Sequence, residues 1–250
     1  MSPILTVTKV TKTFGKLVAV DGASFEVYPN EVFGIAGPNG AGKSTLFNLI
    51  TRVPYGPDAG AIVYDGSPIH MIAPHAICRR GITRTFQTES VFDTLSVEDN
   101  VRIGAVYGAG SPPAGDWKRR VREALAFVDL WDQRERLARD LALLEKKRVM
   151  LASALATQPK ILLLDEPASG LNRTEQQQTI DLIRKINASG VTIILIEHVL
   201  PLLLALSRRV MFLNAGRPLV VGPPDEVMRD ERVIEAYLGS RVAHERLARG

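Results

Sequence analysis

The first thirty residues alternate between apolar and polar positions. LTVTKV, a turn at FGK, and then LVAVDGASFEVY predict antiparallel strands of a small sheet. EVFGIAG follows as a short apolar strand that ends in glycines. From Lys43 the spacing changes to that of a helix, with Leu46, Phe47, Leu49 and Ile50 on one face. GPDAGAIVYDGSPI predicts a turn, a strand and a second turn. From about Ser96 to Ala156 the pattern is helical: Ser96 is an N-cap with Asp99 three residues on, AGSPPAG is a breaker-rich loop, and WKRRVREALAFVDLW is an amphipathic helix. After Lys160 strands and helices alternate again. ILLLDEP predicts a strand, TEQQQTIDLIRKINASG a helix and VTIILIEH a strand. RRVMFLNAGRPLVVG predicts two short strands about the turn NAG, and Asp225–Leu238 a helical tail. This order predicts an α/β domain with a mostly parallel sheet and an inserted helical lobe.

Composition narrows the picture. Of 250 residues, 46% are hydrophobic, enough for a sizeable core. The net charge of +4 permits contact with phosphates or an anionic surface without demanding nucleic acid. Cys78 is the only cysteine, which excludes an internal disulfide and fits a reducing compartment. MSPILTVTKV has no signal-peptide pattern. The most apolar stretch, Val191–Leu206, is interrupted by Glu197, His198 and Pro201 and predicts a buried strand running into a helix rather than a membrane span. His70, His75 and Cys78 lie close in sequence but lack a fourth ligand, so no structural metal is expected there.

GPNGAGKS, Gly37 to Ser44, fits the phosphate-binding pattern G-x-x-x-x-G-K-[ST] between a predicted strand and a predicted helix. Gly37, Gly40 and Gly42 let the backbone curl its N–H groups inward, and the helix adds its positive end. Lys43 reaches outer phosphates and Ser44 offers a hydroxyl to Mg²⁺. In ILLLDEP, Asp165 emerges at the C-terminal end of an apolar strand, suited to Mg²⁺. Glu166 faces differently and is placed to polarise an attacking water.

With these motifs, the chain from about Leu5 to Gly239 resembles the ATP-binding cassette ATPases, the motor subunits of ABC transporters. The resemblance implies a P-loop (RecA-like) core with an N-terminal antiparallel β subdomain and an inserted α-helical lobe. It places the β subdomain and core in 1–89 and 157–222, the lobe in 90–156 and a helical tail in 223–250, one ATPase domain over 1–240. It implies that Gly37, Pro38, Asn39, Gly40, Ala41, Gly42, Lys43, Ser44 and Thr45 cradle ATP and that Phe14 stacks on adenine. Gln87 in RTFQ is matched to Mg²⁺ and water, His198 in ILIEH to the γ-phosphate, and Ser169–Asn172 to a loop at a dimer interface. ITRTFQ, LLDEPASGLN, LIEHVL and VIEAYLG are similar more narrowly to the ATPases of branched-chain amino acid importers. That likeness implies a peripheral subunit on the cytoplasmic face of the inner membrane. Its implied partners are a second, different ATPase, two permease subunits and, indirectly, an external binding protein, with no nucleic acid.

One stretch departs from the family. In LALLEKKR, Ala142, Leu143, Leu144 and Glu145 stand where the family has Ser-Gly-Gly-Gln, and Ser153 replaces a usual arginine. The family's run caps ATP held by the opposite subunit. Ala142 removes a hydroxyl, Leu144 fills space that glycine leaves open, and Glu145 adds negative charge near phosphate. The expectation is an ATPase whose own phosphate site is intact and whose cap on a partner's ATP is weakened. The alternative is a module that uses ATP mainly as a dimerisation ligand. A DNA-repair or translation protein would need long insertions or a second cassette, and a P-loop kinase would leave RTFQ and the strand-end His198 without a role.

Overall fold

A computed structural model describes residues 2–87, 90–109 and 116–237. The described residues fall into two compact units, one from those within 2–71 and 194–237, the other from those within 72–193.

The first unit begins with β1 (Leu5–Phe14) and β2 (Leu17–Val27), followed by β3 (Val32–Ala36), α1 (Lys43–Thr51), β4 (Ala59–Tyr64) and β5 (Ser67–Pro68). β2, β1, β4 and β5 form a four-stranded antiparallel sheet in that order. The alternation read from the sequence is broken first at Lys9. Leu5 and Val7 are buried, but Lys9 adopts φ 48° and the register slips, so Val10 returns to the core. β3 is buried at every residue, as a strand covered on both faces must be.

The second unit holds α2 (Pro74–Arg79), β6 (Ile82–Arg84), α3 (Val97–Tyr107), α4 (Asp116–Phe127), α5 (Leu143–Ala156), β7 (Ile161–Asp165) and α6 (Arg173–Ala188). β6 and β7 are parallel, with Ile82 opposite Ile161 and Arg84 opposite Leu163. Ser96 caps α3 as expected, its Oγ accepting from the Asp99 N–H at 3.0 Å. α3 and α5 approach closely. A Cβ on Gly104 would lie 2.0 Å from the Ser153 carbonyl oxygen, and Ser153 Oγ donates to the Asn100 carbonyl at 3.2 Å. α4 ends four residues earlier than the amphipathic pattern runs. Asp129 takes a left-handed φ of 60°, and residues 131–133 form a separate tight turn. The breaker-rich loop falls mostly on residues 110–115, outside the described residues.

The chain passes back to the first unit within β8 (Thr192–Ile196), buried throughout, and continues as α7 (Leu200–Leu206), β9 (Arg209–Asn214), β10 (Arg217–Gly222) and α8 (Pro224–Val227). β9 pairs parallel with β3 and antiparallel with β10. The apolar run from Val191 is thus a strand feeding a helix, as predicted. The helical tail predicted over Asp225–Leu238 is made of two pieces. Asp230 interrupts it, its Oδ1 accepting from the Arg232 N–H at 2.9 Å, and residues 231–237 start a new helix. Leu238 and Gly239 lie outside the described residues. Among the described residues no helix is long and apolar enough to cross a membrane.

Candidate functional site

In the first unit, Gly37–Thr45 links the buried end of β3 to α1. Its glycines are needed for different reasons. Gly37 has φ 148°, and a Cβ there would lie 2.0 Å from the Leu213 carbonyl oxygen. Gly42 has φ 101°, and its Cβ would lie 2.4 Å from that of Ala19. These two are wedged against β9 and β2, whereas Gly40 (φ 77°) borders open space. Lys43 is buried, and its ammonium donates to the Gly37 and Pro38 carbonyls at 2.7 and 2.9 Å, arching over the loop. Gly42 supplies no side-chain cap and the first turn of α1 holds no acid. Its N-terminal dipole is therefore left open to an anion without internal competition. Asn39, Gly40 and Ser44 are exposed and Ala41 is buried.

Phe14, at the end of β1, is 42% exposed, which leaves a ring face for an aromatic ligand. Its ring meets Tyr55 edge to face at 5.0 Å, and the Lys12 ammonium lies 5.4 Å from its centroid. Asp58 anchors this corner. It accepts from Lys12 Nζ at 2.6 Å and from the N–H and hydroxyl of Thr13 at 2.8 and 2.9 Å. The Lys12 hydrogen bond and then those of Thr13 hold its carboxyl down at about 2. Tyr55 carries no periodic signal in VPYGPDAG, so only the fold reveals it beside Phe14. His198 follows β8 and is exposed, ahead of α7.

In the second unit, Asp165 is the last residue of β7, and Glu166 turns the chain away with φ 50°. That left-handed conformation points successive carboxylates in different directions. Both are buried. Asp165 is met by the last residue of β6 and Glu166 by the segment that follows it. Arg84 Nη2 lies 2.7 Å from Asp165 Oδ2, and Gln87 Nε2 donates to Glu166 Oε2 at 2.7 Å. Asp165 Oδ1 is buried and makes no hydrogen bond among the described residues. A buried carboxylate oxygen without a donor suits a cation, so the site fits Mg²⁺. Arg84 was hidden in plain view within ITRTFQ; no spacing rule singles it out.

α5 starts differently from α1. Ala142 occupies the N-cap and has no acceptor to offer. Glu145 reaches back instead, its Oε2 accepting from the Ala142 N–H at 2.9 Å, and Arg136 Nη1 lies 3.3 Å from its other oxygen. The charge expected to project from Glu145 is thus turned onto its own helix end and partly neutralised. Leu143 lies over the loop after β7: a Cβ on Gly170 would lie 3.1 Å from Leu143 Cδ2.

A family described as ABC transporter matches residues 20–169, and one described as branched-chain amino acid ATP-binding cassette transporter matches residues 217–243. The chain is 36% identical to the high-affinity branched-chain amino acid transport ATP-binding protein BraF of Pseudomonas aeruginosa, over 95% of this chain and 98% of that protein. It is 36% identical to LivG of Escherichia coli, described in the same words, with the same coverage. Among solved structures, the ADP conformation of an ATP-binding cassette of an ABC transporter superposes with a TM-score of 0.85. Identity is 30%, over 96% of this chain and all of that one.

Proposed function

We infer the function from kinship: the chain belongs to the ABC transporter family, as an ATP-binding subunit that hydrolyses ATP. From that premise we propose that it powers the uptake of a small solute, most readily a branched-chain or other amino acid. The observation that carries ATP binding is the unbroken Gly37–Thr45 loop, with Gly37 and Gly42 where no side chain fits and an uncapped α1 behind it. The amino-acid reading is supported by the match over 217–243 and by what BraF and LivG are named for.

In the proposed mechanism, Phe14 stacks on adenine and the N–H groups of residues 37–45 bind the phosphates. Lys43 exchanges the carbonyls of Gly37 and Pro38 for phosphate oxygens. Ser44, Gln87 and Asp165 are assigned to Mg²⁺, which when bound supplies positive charge to the phosphate oxygens. Glu166 polarises the attacking water and Gln87 keeps its carboxylate directed. His198 contacts the γ-phosphate. Catalysis here is positioning and charge stabilisation rather than covalent chemistry. ABC importer ATPases work with transmembrane permeases. For this chain we propose two of them, a second and different ATPase, an external binding protein, and a peripheral place on the cytoplasmic membrane face.

Phosphate release from Mg-ATP by the full chain tests hydrolysis, and uptake of labelled leucine, isoleucine and valine by cells with and without this chain tests the cargo. Unchanged uptake of all three would overturn the amino-acid reading alone. The N-terminus of α5 favours a second reading, an ATP-driven dimerisation switch with slow turnover, because Ala142 and Glu145 do not form the family's cap. ATP-dependent dimers with negligible phosphate release in the assembled transporter would select it.

A further inference from the structure

The pair formed by Arg84 and Asp165 has a property that the hydrolytic assignment of Asp165 does not explain. The side chains are 8% and 3% exposed, so the carboxylate sits where an isolated charge is strongly disfavoured. Arg84 reaches only Oδ2, at 2.7 Å, and Oδ1 is left without a hydrogen bond among the described residues. The guanidinium is itself held in place. It leaves from the last residue of β6, whose neighbour Thr85 donates to the Leu163 carbonyl at 2.9 Å, and its Cζ lies 5.1 Å from the centre of the Phe86 ring. β6 is therefore docked on β7 immediately beside the acid it serves.

We propose that Arg84 is the resident counter-cation of Asp165. It neutralises the buried carboxylate through Oδ2 when no metal is present and keeps Oδ1 as the oxygen that faces the metal. Asp165 then never stands as a bare buried anion, and Mg²⁺ gains little from entering alone. The metal is drawn in only when the phosphates of ATP bring further negative charge. Arg84 acts through Asp165 and is a positioning residue. The inference rests on the reading of Asp165 as a Mg²⁺ ligand. A second cation, Lys147, lines a small cavity that Asp165 also borders, and is the natural rival for the same task.

The experiment is thermal melting of the full chain without nucleotide, with and without millimolar Mg²⁺. The wild-type chain should show no Mg²⁺ shift. Arg84→Met should melt lower by on the order of 10 °C in chelator. It should recover about 5 °C with Mg²⁺ alone, since the metal becomes the only cation at Asp165. The double variant Arg84→Met with Asp165→Asn should regain most of the loss and ignore Mg²⁺. Arg84→Lys, which keeps the charge, should behave as wild type toward Mg²⁺, and Lys147→Met should too. Should Arg84→Met fail to fold, recovery of folded protein in the double variant supports the pairing, and failure of both overturns it. A Mg²⁺ shift in the wild type equal to that of Arg84→Met, no Mg²⁺ response in a folded Arg84→Met, or a Mg²⁺ response in Lys147→Met but not in Arg84→Met also overturns it. ATP binding by the wild type, measured by calorimetry in parallel, separates these outcomes from failure of the ATPase reading itself.

Discussion

Two helix N-termini of this protein are built from the same backbone chemistry and end up opposite in character. α1 begins at Gly42 with no capping side chain and no acid in its first turn. α5 begins at Ala142, and Glu145 folds back to accept from the Ala142 N–H while Arg136 holds its other oxygen. The first leaves its positive end to an external anion. The second supplies its own. α6 shows what a complete cap looks like in this chain. Asn172 Oδ1 accepts from the N–H groups of Thr174 and Glu175 at 3.0 and 3.1 Å, and Glu175 answers by accepting from the Asn172 N–H at 2.9 Å. α5 has only the answering half. Being a helix start is therefore not enough to bind phosphate; what occupies the first turn decides whether an anion is welcome.

The largest test of this contrast concerns chemistry. If ATP held at α1 is hydrolysed with the help of Glu166, Glu166→Gln should keep ATP bound and slow phosphate release by roughly 10²–10⁴-fold. In the assembled transporter the loss should exceed that from the matching substitution in the second ATPase, whose nucleotide would rely on the self-capped α5. Equal losses, or a larger loss from the partner's change, would remove the asymmetry.

Next in size is the phosphate contact itself. Lys43→Ala removes a charge-assisted hydrogen bond of about 1.5–3 kcal/mol, so ATP affinity should fall roughly ten- to hundredfold by calorimetry. An unchanged affinity would show that the open end of α1 is not the anion site.

Ala142→Ser sharpens the comparison from the other side. It completes the box on α5 and should stabilise the chain by about 1 kcal/mol, a rise of roughly 2–4 °C in melting temperature. Changing Leu143 and Leu144 to Gly in addition should raise turnover at the partner's site while costing about 1 kcal/mol of helix propensity per residue. A more stable Ala142→Ser chain whose triple variant leaves partner turnover unchanged would mean that the side chains at 142–144 do not set the cap.

The smallest effect concerns Phe14. Phe14→Ala should weaken ATP and ADP alike by about 0.5–1.5 kcal/mol, because stacking ignores the γ-phosphate. A loss confined to ATP, in parallel titrations of both nucleotides, would move the base away from this ring.

Much of the candidate site was legible because its signals are local. The phosphate loop is nine consecutive residues whose glycines carry the positive φ the curl requires, although what crowds Gly37 and Gly42 comes from β9 and β2. ILLLDEP is legible for the same reason: four apolar residues make the buried strand and the acid falls at its end. Interruptions were less legible. The slip at Lys9, the left-handed Asp129 and the cap at Asp230 each broke a pattern that periodicity had carried through. At Asp230 a single side chain that satisfies a backbone N–H outweighs several residues of hydrophobic spacing.

By itself, then, the amino-acid sequence determined the α/β order, the phosphate loop and the strand-end acids, since contiguous residues and short-range sterics decide them. The tertiary structure alone decided which side chains meet. Arg84 and Asp165 stand 81 residues apart, Gln87 and Glu166 79. Phe14 meets Tyr55 only because β1 and the turn before β4 are brought together. The sign of Glu145 was plain from its letter, but where its charge points was not. Arg136 and the Ala142 N–H each hold one of its oxygens, and only the folded backbone places them within reach.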